Sequence, residues 1–109
     1  MYKRQPDDGA FVELGMTFEQ LDDALREKLK IAKAIEGVVI SSVEAGSLAE
    51  EKGVEVGDVV RELSQAEVSK PQDIKARLEA LTAADRRAAL FLLQNKAGDL
   101  RLVAIRIDG

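Results

Sequence analysis

The chain has 109 residues, enough for one domain with its own core; 46% of them are apolar and only Tyr2, Phe11, Phe18 and Phe91 are aromatic, so that core must be aliphatic. Its 16 basic and 20 acidic residues are interspersed to a net charge of −4, which argues against the basic stripe of a nucleic-acid binder. Cysteine and histidine are both absent, which excludes disulfides, thiol catalysis, Cys- or His-ligated metal and any catalytic triad built on a histidine base.

Residues 1–10 are polar, with Pro6 and Gly9, and are expected to be linker. Their two basic residues precede no apolar stretch, so no signal peptide is expected there, and no run approaches the ~20 apolar residues that cross a bilayer. The folded domain is expected over 11–107, with 108–109 as a tail. Phe11 to Leu14 reads as a short strand, interrupted by Gly15, and Met16 to Glu19 alternates again with period two. From Leu21 to Ile31 the period becomes helical: Leu21, Leu25 and Leu29 share a face, with Asp22 and Asp23 in the first turn and Lys28 and Lys30 near the end, as the helix dipole favours. Ala32 to Glu36 is read as a connector.

Val38 to Val43 is a β-branched run expected to be a buried strand. Ser47-x-x-Glu50 is a capping-box pattern for a helix of little more than one turn, which Gly53 stops. Gly57-Asp58 turns into a strand over Val59–Leu63, and Gln65-Ala66 stands where a hairpin-like turn is needed before a brief Glu67-Val68. Ser69-x-x-Gln72, with Pro71, opens a helix whose Ile74, Leu78 and Leu81 form one stripe. A strand over Ala88–Gln94, a loop at 95–99 and a strand over Leu100–Ile107 complete the chain, the last with Leu102 and Ala104 on one face and Val103, Ile105 and Ile107 on the other. Five to six short strands, two helices and a short helical turn make a small α+β domain: a strongly bent sheet or partial barrel capped by helices.

Most candidate chemistry has a plain structural explanation. The paired acids Asp22-Asp23 suit a helix start, and no serine has a histidine partner or lies in a Gly-x-Ser-x-Gly elbow. Leu78 and Leu81 are core positions by default. Met16 and Phe18 share a face of their strand, which is either the floor of a groove or part of the core. Lys70 and Arg77 are expected at solvated surface. No cofactor or metal is expected.

In their order and spacing, Val38–Val43, Gly46-Ser47, a small-residue helix, Gly53 and Gly57-Asp58-Val59-Val60 resemble the centre of a PDZ domain of the HtrA (Do-type) serine proteases. The resemblance extends over 11–107. Glu13-Leu14-Gly15-Met16 is similar to that family's carboxylate-binding loop, of the form x-Leu-Gly-apolar, where a glycine lets backbone N–H groups converge on an anion. The helix at Leu21–Ile31 resembles an insertion common in Do-type PDZ domains, and the closing strands suggest the second, C-terminal PDZ domain. Leu48 stands where the family often has proline, Gln65-Ala66 where it has Asn-Gly, and Glu13 adds a negative charge beside the loop.

The resemblance implies a peptide-binding regulatory domain without catalytic residues, in a parent that is a periplasmic serine endoprotease engaged in protein quality control. It would capture C-termini or extended segments of unfolded proteins as an added strand along Met16–Glu19, with the Ile74 helix as the opposite wall. Leu14, Gly15, Met16, Thr17, Phe18, Ile74 and Leu78 would form the peptide site, and the protease domain and sister subunits would be further partners. A second reading is a PDZ-like assembly or spacer domain with a closed groove that mediates oligomerisation, docking through the Leu21–Ile31 helix. A PDZ domain of a membrane-embedded or tail-specific envelope protease is a third.

Overall fold

The backbone alternates strands and helices in an order set by the periodicities above. The computed structural model describes residues 10–107; the expected linker before Ala10 and the tail at 108–109 lie outside the described residues. Strands β1 (Ala10–Glu13) and β2 (Met16–Gln20) are followed by helix α1 (Asp23–Leu29), strand β3 (Val38–Val43), the short helix α2 (Leu48–Glu51) and strands β4 (Val59–Leu63) and β5 (Ala66–Glu67). Helix α3 (Pro71–Ala83) then leads to β6 (Ala88–Gln94) and β7 (Leu100–Arg106). All pairings are antiparallel, in the order β1-β2-β3-β4-β6-β7, with β5 paired to β4.

The class is α+β as expected, with two helices and a four-residue helical turn. Among the described residues the sheet has seven strands, one more than the upper sequence count; the brief strand expected at Glu67-Val68 lies at Ala66–Glu67, and the path of the sheet is open. This architecture is compatible with a PDZ-like fold.

The sheet is covered on both faces at its centre. On one face Met16, Phe18, Val38, Ile40, Val60, Leu63, Phe91, Leu93 and Ile105 meet Ile74, Leu78 and Leu81 of α3 and Ala49 of α2. Phe18 and Phe91 lie there with rings stacked, centroids 6.1 Å apart. On the other face Val39 and Val59 pack with Leu21, Ile31 and Ile35, flanked by Leu25 and Leu29. Two-sided burial explains the unbroken apolar start of β3, since both pleat directions at Val38–Ile40 face a core. It also answers what the leucine stripe of α1 does: it covers its own sheet. Ile35, in the segment read as mere connector, belongs to that second cluster.

Helix boundaries follow local capping chemistry. The helix expected over Leu21–Ile31 is shorter at both ends, because Asp22 is its N-cap, accepting from Leu25 N at 2.8 Å, and Lys30 takes the left-handed C-cap. In α2 the Ser47 Oγ accepts from Glu50 N at 3.2 Å, while Glu50 reaches back to Gly46 N at 2.8 Å, one residue beyond the usual box. In α3 the acid that closes the first turn is Asp73 rather than Gln72. Its Oδ2 accepts from Ser69 N, Lys70 N and Ser69 Oγ, with Pro71 as the first helical residue. The backbone N–H of Ser69, then its hydroxyl and Lys70, hold the Asp73 carboxyl below its ordinary pKa.

Candidate functional site

Two residues, Leu14 and Gly15, join β1 to β2, and both have positive φ (57° and 79°). With Glu13 paired to Met16 this is a type I′ hairpin turn, the hand that matches strand twist. The segment expected to hold a carboxylate thus closes a hairpin. Gly15 is required twice over. Its φ favours glycine, and a Cβ there would lie 2.5 Å from the Cβ of Ser47 and 2.9 Å from its Oγ. The Gly15 carbonyl also accepts from Glu44 N at 2.7 Å, tying the turn to the loop before α2.

The expected site residues do come together, but as core. Met16 is 1% exposed, and Phe18 and Ile74 are 0%. All three share one cluster with Leu78, and half-buried Leu14 packs against it. Thr17, of opposite pleat, is half-buried on the other face. The edge of Met16–Glu19 expected to be open is taken: β2 carries β1 on one side and β3 on the other. Helix α3 lies against both β1 and β2, and Gln20 Nε2 donates to Ser69 O at 3.0 Å, tying the end of β2 to the start of α3. β1 therefore fills the strip where an incoming peptide was expected.

Glu13 is exposed, and its pairing with Met16 puts it on the same sheet face as that core, at its rim. It lines a cleft of ≈ 460 Å³ with Lys75, Leu78, Glu79, Thr82 and Ala83 of α3. A second cleft, ≈ 400 Å³, lies near α1 and contains Arg26, Arg61, Glu36 and Glu67. Its charges balance, and both arginines are engaged within the protein, Arg26 with Ile35 O and Arg61 with Gln94 Oε1 at 2.7 Å.

Three supporting residues escaped sequence reading. Arg77, expected at solvated surface, donates to Leu63 O (3.2 Å) and Ser64 O (2.9 Å) and braces the β4–β5 turn. That turn is Ser64-Gln65, not Gln65-Ala66, and both residues have positive φ without a glycine. Asp58, read only as a turn residue, is 3% exposed; its Oδ2 accepts from Glu55 N (3.0 Å) and from Arg101 of β7 (2.9 Å). Arg101 also donates to Gly53 O, clipping the loop between α2 and β4 to β7. Neither arginine had a local signal, since each meets its partner only through the fold.

The chain matches no protein-family model and no curated protein sequence. Among the described residues no helix is long and apolar enough to cross a membrane, and no group of three or more carboxylates is placed to hold a metal ion.

Proposed function

We propose that this chain is a non-catalytic, PDZ-like peptide-recognition domain of a Do-type periplasmic serine protease, binding C-termini or extended segments of unfolded proteins by strand addition beside β2. The observation that carries the proposal is β1 itself. An antiparallel strand already lies against β2 under α3, which supports the view that this strip of sheet is built to accept an extended segment. The element order that resembles the PDZ centre, with its glycines at 46, 53 and 57, supports the same reading. In it Leu14, Gly15 and Met16 form the turn that meets the peptide end, and Phe18, Ile74 and Leu78 lie beneath the last side chain.

The test is an NMR titration of the labelled domain with one peptide ending in an aliphatic residue, as free acid and as amide. A hydrogen bond to a charged group contributes ~1.5–3 kcal/mol, so end recognition predicts roughly tenfold or greater loss on amidation, with shifts at Leu14–Phe18 and near Ile74. Equal shifts would mean strand addition without end recognition. No shifts with either form would refute the reading for this peptide class.

The near-complete burial of Met16, Phe18 and Ile74 favours a second reading, a closed-groove assembly or spacer domain. Its docking surface would not be the α1 leucine stripe, which covers Val39 and Val59. The outer face of β6–β7 suits it better, with Leu100 58% and Leu102 63% exposed beside Leu90. Under this reading Leu102→Glu would lower the oligomeric state in sedimentation.

A further inference from the structure

We infer that β1 is an internal occupant of the groove, a tethered strand that an incoming peptide must displace from β2; this rests on the peptide-recognition reading above. The geometry leaves little room for both. β2 is paired on each edge, and α3 packs against β1 as well as β2. A peptide that pairs with β2 beside α3 needs the donors and acceptors β1 now uses.

β1 is also held by a short ladder. Among the described residues it pairs over four, against seven for the β6–β7 hairpin. Its turn places a leucine at positive φ, a conformation that favours Asn or Gly, so the connection works against the pairing it closes. Val12, on β1, is 65% exposed and Glu13 is exposed, so the strand has little side-chain burial at these two positions. Such an edge belongs to the low-stability end of local opening. The measured affinity then equals the intrinsic affinity multiplied by the fraction of molecules with β1 released. The occupant that displaces it is an extended peptide able to reproduce an antiparallel ladder of about four residues.

The register supplies a lock. Glu13 and Met16 flank a two-residue turn and form a hydrogen-bonded pair, so Val12 and Thr17 form the next, non-hydrogen-bonded pair, whose side chains come closest. The chain has no cysteine to interfere. A Val12→Cys/Thr17→Cys variant therefore clamps β1 when oxidised and frees it when reduced. Phe11→Pro does the opposite, removing a ladder N–H from a hydrogen-bonded pair. The probe is a fluorescent peptide ending in two valines with a free carboxylate, measured by anisotropy on the whole chain.

Displacement predicts about tenfold or greater loss of affinity on oxidation, full recovery with dithiothreitol, and tighter binding by Phe11→Pro than by the unsubstituted chain. Binding that is equal in oxidised and reduced forms would overturn the inference and leave peptide recognition standing, by another edge. Absence of binding in the reduced form, in Phe11→Pro and in the unsubstituted chain would overturn both. Should Phe11→Pro fail to fold, the redox pair decides alone.

Discussion

Gly15→Ala is the substitution whose cost can be worked out most completely. A Cβ at position 15 would sit 2.5 Å from Ser47 Cβ and 2.9 Å from Ser47 Oγ, both too close for non-bonded atoms. Three effects add. Alanine at φ 79° costs about 1 kcal/mol. The overlap forces Ser47 or the hairpin to move, at about 1 kcal/mol or more for a crowded site. Moving Ser47 weakens its acceptance from Glu50 N, the cap of α2, worth about 1 kcal/mol. The expected total is about 3 kcal/mol, read as a lower urea midpoint at unchanged slope. Ser47→Gly isolates the contact: it removes the Cβ and costs only a few tenths of a kcal/mol as a cap. In that background Gly15→Ala should cost only about 1 kcal/mol, so the double-mutant cycle should show about 2 kcal/mol of coupling. Additive costs would refute the claim that the β1–β2 turn is seated on the start of α2.

Arg101→Ala should destabilise by about 2 kcal/mol, because it strips one partner from the buried Asp58 carboxylate while Glu55 N remains, and the half-exposed arginine moderates the loss; Arg101→Lys should recover part of it in the same urea titration. Asp73→Asn should cost about 1 kcal/mol at neutral pH. Since the folded-state pKa of Asp73 is depressed, its contribution is fully present above the ordinary carboxylate pKa and is lost as pH falls through the folded value. The Asn variant should therefore show a shallower decline in stability over the acid limb, and an identical decline would refute the role. Gln65→Gly should stabilise by about 0.5 kcal/mol, as relief of positive φ outweighs the greater freedom of glycine in the unfolded chain; calorimetry that shows a loss would place the turn in another conformation.

What could be read in the sequence was whatever depends on neighbours along the chain. The stripe Ile74, Leu78, Leu81, the cap at Ser47, the stop at Gly53 and the alternation of Val103, Ile105 and Ile107 all appear as expected, because each rests on a local period or a local hydrogen bond. The Ser64-Gln65 turn was displaced by one residue because its brace, Arg77, comes from a helix more than ten residues on. The pairing of β1 with β2 was illegible for a different reason: Leu-Gly is a poor sequence for a type I′ turn, and only the backbone shows that it makes one. The leucines of α1 signalled a buried face but not which surface buried it.

The two ends of the sheet differ in a way that bears on how another chain would enter it. At the β7 end the edge strand is held by full-length pairing to β6 and by the Arg101 clip to Asp58 and Gly53. Its outer hydrogen-bonding groups can be met only by addition. At the β1 end four described residues and an unfavourable turn hold the edge, yet the layer beneath it, from Phe18 through Phe91 to α3, is buried core. A partner strand that replaces β1 meets an apolar floor already built by β2 and α3, whereas the strands behind it are buried on both faces at Val38–Ile40 and Val59–Val60. Because β1 pairs only with β2, its exchange leaves the pairings among β2, β3, β4, β6 and β7 in place, and that is what favours recognition at this end.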